Sequence, residues 1–234
     1  MLGGVGEHAR SAISNHDLPD DAIDMRTLLF DLDGTLSDPL VGISRSINHA
    51  LTSLGYTALP ESEVAQYVGP PLDDTFRVVT GAPEAEVRQL ILLYRERYAE
   101  TGFAENTLYP GIDTALDALA QQGIPMGICT SKLANFADKI LHRFGIRDHF
   151  RFISGGDIGV TKQQQIARLL SDGAVDPQAR MIGDRSVDLL AAHANGIGSV
   201  GVLWGYGSRK ELADQSPLRL LESVDEIAGL VDLP

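Results

Sequence analysis

Hydrophobic and polar positions follow two different periods along this chain. Short apolar runs at 27–30, 124–129, 150–153, 180–182 and 199–203 have the length and composition of buried strands. The first four each end in polar or acidic residues: Asp31, Thr130-Ser131-Lys132, Ser154-Gly155-Gly156-Asp157 and Gly183-Asp184. Between the later runs, apolar residues recur at helical spacing over 112–122, 133–144, 163–171 and 186–195. Gly123, Gly145, Gly173 and Gly196 stand where these helices should stop. Strands that alternate with helices of this length predict an α/β fold, a doubly wound, Rossmann-like parallel sheet with helices on both faces. Such sheets bind ligands at the carboxyl ends of their strands, where the polar residues cluster here.

The alternation is interrupted once. From 37 to 109 there is no convincing strand, and helical patterns cover 41–54, 62–67, 72–79 and 83–100. In the last of these Val87, Leu90, Ile91, Tyr94 and Tyr98 share one face. The segment reads as an all-helical insertion after the first strand, large enough to lie as a lid over the strand ends. A closing helix is expected at 223–230. Residues 1–24 carry five acids and one arginine and no sustained period, and Met25 directly precedes the first apolar run. The expected division is therefore a polar leader at 1–24, dispensable if Met25 is a natural start, a core at 25–36 and 110–234, and a helical insertion at 37–109.

Composition narrows the function. The 234 residues carry a formal net charge of −13 without a basic block, which argues against nucleic acid or anionic lipid as a partner. The one cysteine, Cys129, allows neither an intrachain disulfide nor a cysteine zinc cluster. No apolar run approaches the roughly 20 residues of a membrane helix, and the leader lacks the layout of a signal peptide. A cytoplasmic protein is expected, and monomer and dimer are both open. Gly196-Ile197-Gly198-Ser199-Val200-Gly201 spells a dinucleotide fingerprint, but it follows a helix and enters a strand, the reverse of the required context. A calcium loop beginning at Asp31 fails too, with Leu36 and Gly42 where glycine and glutamate are needed.

Asp31-Leu32-Asp33-Gly34-Thr35 carries the chemistry. A buried strand delivers two carboxylates two residues apart, and Gly34 lets the backbone turn sharply. Crowded anions need a cation between them or a shared proton. Oxygen donors that tolerate water and phosphate favour Mg²⁺. Asp184 ends the fourth strand, and Asp188 follows one helical turn later. Any one of these aspartates could be a turn residue or helix cap, Asp184 for the helix near Ser186 included. Four of them at neighbouring strand ends are hard to attribute to capping.

Together these residues resemble the haloacid dehalogenase superfamily, in its phosphoglycolate phosphatase-like branch, from Arg26 to the C-terminus. The DxDGT motif is matched by Asp31 to Thr35 and the strand-end Thr/Ser motif by Thr130-Ser131. Lys162 matches the lysine that opens a helix, and Gly183-Asp184-Arg185-Ser186-Val187-Asp188 matches GDxxxD. Lys132 is a second candidate lysine, but it is read as an exposed helix-start residue. The resemblance implies a Mg²⁺-dependent phosphomonoesterase with Asp31 as nucleophile and Asp33 as general acid and base. It implies Mg²⁺ held by Asp31, Asp33 through its backbone carbonyl, Asp184 and Asp188, the last through water or by holding the lysine. Gly34, Thr130, Ser131 and Lys162 would receive the phosphate of a small metabolite, with 2-phosphoglycolate the best guess.

The insertion then corresponds to the family's cap. Its five arginines and ten acids include no lysine, which disfavours the phosphonate-cleaving relatives, and the DxDGT pattern disfavours the dehalogenases. A 5′-nucleotidase and a sugar-phosphate phosphatase or mutase are the alternatives within the superfamily. A phospho-accepting receiver module is the alternative outside enzymes, but such modules lack a helical insertion. The turn at 67–72, with Pro70 and Pro71, could overhang the site, whereas Arg45 and Arg77 are expected on solvated faces. His49, His142, His149 and His193 lack metal-ligand spacing, and Cys129 reads as an inert core thiol. Trp204 and Tyr206 follow the fifth strand, in a loop expected to border the site.

Overall fold

The computed structural model describes residues 26–157 and 159–232. The leader and the proposed start at Met25 lie outside them. A six-stranded parallel sheet runs in the order β5-β4-β1-β6-β7-β8. Its strands are β1 (Leu28–Phe30), β4 (Met126–Leu133), β5 (Phe150–Gly156), β6 (Arg180–Gly183), β7 (Gly198–Val202) and β8 (Arg219–Leu221). The short β2 (Ser37–Asp38) and β3 (Thr107–Leu108) pair antiparallel where the chain leaves and re-enters this layer. The helices are α1 (Leu40–Ser53), α2 (Glu61–Val64), α3 (Leu72–Thr80), α4 (Glu84–Glu100), α5 (Ile112–Gln121), α6 (Ala134–Arg143), α7 (Lys162–Ser171), α8 (Ser186–Ala194) and α9 (Arg209–Ala213).

Two-residue alternation sorts the strands onto two packed faces. Leu28, Phe30, Met126, Ile128 and Ile182 point to one face, where Ile112 and Leu116 of α5 and Ile140 and Leu141 of α6 cover them. Ile227 and Leu230, in a 3₁₀ helix at Val224–Asp232, complete that side in place of the expected α-helix. Leu29, Cys129 and Met181 point the other way, against Ile166 of α7 and Ala191 and Ala192 of α8. Burial on both sides explains why these strands read as continuous apolar runs. Helices α1 to α4 wrap their own cluster around Ile47, Leu51, Phe76 and Leu90, which touches the sheet layer through Phe136 of α6.

Three further features depart from expectation. The sixth strand, β8, has Arg219 at its exposed end and only three residues, too few to print a period. The pair β2–β3 has two residues per strand. Most consequential, β4 runs on from Cys129 to Leu133, pairing with β5 as far as Gly156. The pattern at 196–201 behaves as its context required: α8 stops, Gly196 takes φ +71°, and β7 begins. No helix among the described residues is long and apolar enough to cross a membrane.

Candidate active site

The site forms at the carboxyl ends of β1, β4 and β6. After β1, the chain folds back on itself in a tight turn, with Leu36 N and Ser37 N both donating to Leu32 O and Gly34 N to Ser37 O. Gly34 takes φ +84°, and a Cβ there would lie 2.2 Å from Asp184 Oδ2. The turn and Asp184 can therefore meet only through glycine. Thr35 Oγ1 donates to Asp184 Oδ1 at 3.2 Å and Tyr206 N to Asp184 Oδ2 at 2.8 Å. Asp184 is thus held by the turn and by the loop after β7, and it does not cap α8. Arg185 takes that place, and its amide donates to Asp188 Oδ2 at 3.0 Å.

Asp31, Asp184 and Asp188 are all buried, and one carboxylate oxygen of each lies within 4.8 Å of the others. Lys162, at the first position of α7, enters the same space. Its Nζ lies 3.1 Å from Asp31 Oδ1 and pairs closely with Asp188 Oδ1. Thr161 places it there, because its side chain caps α7 by accepting from Gln164 N. Burial, then repulsion from Asp188 and Asp31, pushes Asp184 up to about 8. Burial likewise raises Asp188, to about 6, although Lys162 opposes it. Burial works against the Lys162 ammonium, but Asp188 and Asp31 outweigh it and strengthen its hold on the proton.

These residues fit a hard divalent cation. The donors are all carboxylate oxygens, three carboxyl groups converge in one buried cluster, and Asp31 Oδ1 has no hydrogen bond beyond its 3.1 Å ion contact with Lys162. Replacing Lys162 by Met would leave those carboxylates without their ammonium. Breaking a buried pair in this way costs about 3–5 kcal/mol, so urea unfolding of K162M should show a loss of that size, partly restored by Mg²⁺.

Asp33 stands apart from the cluster, with its carboxylate held by Lys132 Nζ at 2.8 Å and Asn106 Nδ2 at 3.4 Å. Burial raises its pKa, against the opposing charge of Lys132. The expected exposure of Lys132 is therefore corrected: its side chain is 7% exposed and faces the site. The cause is the longer β4. Alternation sends Thr130 and Lys132 to one side and Ser131 to the other, so Thr130 is buried and Ser131 is exposed. Lys132 N donates to Thr130 Oγ1 at 3.3 Å, and Gln165 Nε2 fixes Thr130 O at 3.1 Å.

The surrounding residues fall as their patterns suggested. Trp204 Nε1 donates to Thr35 O at 2.9 Å, and Tyr206 Oη bonds Asp38 on β2, so their loop borders the site. The turn at 67–72 reaches the sheet layer, where Arg185 Nη1 donates to Val68 O at 2.7 Å. Arg45 pairs with Glu105, and Arg77 with Asp73, Asp74 and Glu84, on exposed faces. Cys129 is buried, which pushes its thiol up to about 12. Asn106 and Tyr98, which bonds Lys132, carry no sequence motif. Their only signals were a polar residue at the insertion's return and an aromatic on the apolar face of α4.

The description "haloacid dehalogenase-like hydrolase" fits residues 28–202, three-quarters of the chain. This chain belongs to that family. It is 39% identical over 202 residues to a 5′-nucleotidase of Pseudomonas aeruginosa, covering 85% of this chain and 91% of that one. To the phosphoglycolate phosphatase of Yersinia pseudotuberculosis it is 33% identical over 219 residues, covering 90% and 94%. The solved structure of protein tyrosine kinase A from Mycobacterium tuberculosis superposes with a TM-score of 0.76 at 33% identity, covering 88% of this chain and 97% of that one. The hydrolase is an enzyme of the phosphatase type, and the helical region is consistent with the family's cap.

Proposed function

We propose that this hydrolase is a Mg²⁺-dependent phosphomonoesterase that transfers the phosphoryl group of a small metabolite to Asp31 and then to water. The observation that carries the reading is one juxtaposition. Asp31, its buried carboxylate neighbours and Lys162 form one cluster, while Asp33, two residues on, is held outside it by Lys132. Asp31, Asp184 and Asp188 would hold Mg²⁺, together with the Asp33 backbone carbonyl. When bound, the ion supplies charge neutralisation between these carboxylates and an anionic phosphate.

The chain's own residues divide the remaining work. Asp31 attacks phosphorus, so one hard displacement becomes two easier ones. Asp33 gives its proton to the leaving oxygen, and as a carboxylate it then takes a proton from the attacking water. Thr130 Oγ1 accepts from a backbone amide, leaving its hydroxyl proton for a phosphoryl oxygen. Lys162 Nζ serves a second oxygen, where transition-state charge spreads. Gly34 keeps the backbone close to the phosphate, whereas the Ser131 side chain turns to the opposite, exposed side of β4 from Thr130 and leaves that contact to Thr130. Residues 37–109 act as the cap, excluding water when seated.

The likeness to a phosphoglycolate phosphatase over 90% of the chain supports 2-phosphoglycolate as the substrate. The 39% identity to a 5′-nucleotidase supports a second reading, a nucleoside monophosphate. Phosphate release from a panel of phosphorylated metabolites, ranked by kcat/KM, separates them. Glycolate ester in first place is the expected result, and a nucleotide in first place selects the second reading. Release that persists in EDTA would contradict the metal dependence.

A further inference from the structure

The ammonium of Lys132 is placed by a residue of the helical insertion. Its Nζ lies 2.8 Å from Asp33 Oδ2 and donates to Tyr98 Oη at 2.5 Å, with the Tyr98 ring centroid 4.6 Å away. Lys132 belongs to β4, Tyr98 to α4 and Asp33 to the turn after β1, so one ammonium joins the insertion to the proposed acid. Tyr98 has little freedom of its own. It stacks on Tyr94 at 5.5 Å between centroids and 10° between planes, and meets Phe136 edge-on at 5.4 Å. From the other side, Asn106 of the insertion's return donates to Asp33 Oδ1. Both oxygens of Asp33 are therefore tied, directly or through Lys132, to residues between β2 and β3.

We propose that Tyr98 is a positioning residue for Asp33, acting through Lys132, so that the acid is in place only when the helical insertion is seated on the sheet layer. The inference rests on Asp33 being the general acid of the proposed function. An unanchored lysine explores many rotamers, and fixing it costs side-chain entropy. The Tyr98 hydroxyl and ring hold the ammonium where it pairs with Asp33, which keeps the carboxyl group aimed. In the first step, the bond from Asp31 to phosphorus forms as the bond to the leaving oxygen breaks. The leaving oxygen keeps that electron pair and takes the Asp33 proton. An alkoxide needs the proton badly, whereas a nitrophenolate leaves without it. Misplacing Asp33 must therefore penalise alkyl esters selectively. A loss of cap packing alone would not discriminate between leaving groups, and assembly of the site on closure would give induced-fit selectivity.

The test uses the full chain with Mg²⁺ and compares kcat/KM, which reports steps through leaving-group departure. The substrates are p-nitrophenyl phosphate and the alkyl monoester that ranks first in the panel. Tyr98→Phe removes the hydroxyl and keeps the ring. It should lower kcat/KM for the alkyl ester about tenfold and that for p-nitrophenyl phosphate less than about twofold. Tyr94→Phe, whose lost hydroxyl is not the one Lys132 meets, should leave the ratio of the two unchanged. Thermal unfolding of both variants monitors the fold. Equal losses on both esters, or no loss on the alkyl ester, would overturn the inference while leaving the phosphatase reading intact. A parent chain that releases phosphate from neither ester overturns both.

Discussion

A D31N protein folds as the parent does and releases phosphate more slowly by about 10⁴-fold or more, the scale of losing a nucleophile. The substitution keeps shape and removes the attacking charge. It should leave stability little changed, because Lys162 keeps its close pairing with Asp188 when the 3.1 Å contact to Asp31 is weakened. Unfolding by urea and phosphate release, measured on the same preparation, check the two halves together. Turnover near the parent's would remove Asp31 from the chemistry. A collapse of stability would make it a structural residue.

Without a divalent cation, the protein should lose stability as pH rises from about 4 to about 8. Asp184 is pushed up to about 8 and Asp188 to about 6, both chiefly by burial. A carboxyl group whose folded pKa is raised binds more protons folded than unfolded between its two pKa values. Its contribution is fully present below the unfolded pKa and is lost as pH passes through the folded one. Each pKa unit is worth about 1.4 kcal/mol, so the fall should be plain in the unfolding midpoint. Mg²⁺ prefers the ionised carboxylates, so its stabilising effect should grow over the same range. Unfolding midpoints at pH 5 to 8.5, with EDTA and with Mg²⁺, measure both slopes, and Asp184→Asn should flatten the EDTA curve. A parent whose midpoint rises with pH in EDTA would contradict the cluster.

Five of the six strands were legible as apolar runs, the central ones unbroken because they are buried on both faces. The insertion was legible because α1 and α4 are long enough to show a helical stripe. The aspartates at 31, 33 and 184 were legible by their place just past strand ends, and Asp188 by following Asp184 at one helical turn. Lys132 was misread for a physical reason. Thr130-Ser131-Lys132 is polar and precedes a helix, so it resembles a helix start, yet pairing with β5 extends β4 and turns alternate side chains inward. The bond from Lys132 to Tyr98 spans 34 positions and depends on how α4 docks, which no local pattern encodes. Asp184 as a helix cap was the reasonable local reading. Its contacts with Thr35 and Tyr206 come from segments far along the chain, brought together by the order β1-β6-β7.

In the proposed mechanism a phosphoryl group passes through Asp31. Acid-quenching the enzyme during turnover with its best substrate, then digesting it and mapping the peptides by mass, reads this directly. The expected result is one added phosphoryl group on the peptide holding Asp31, acid-stable, lost on brief alkaline treatment and absent from D31N. A phosphoryl group on another residue, or none while the enzyme turns over at saturation and attack by water on the intermediate limits the rate, would contradict it.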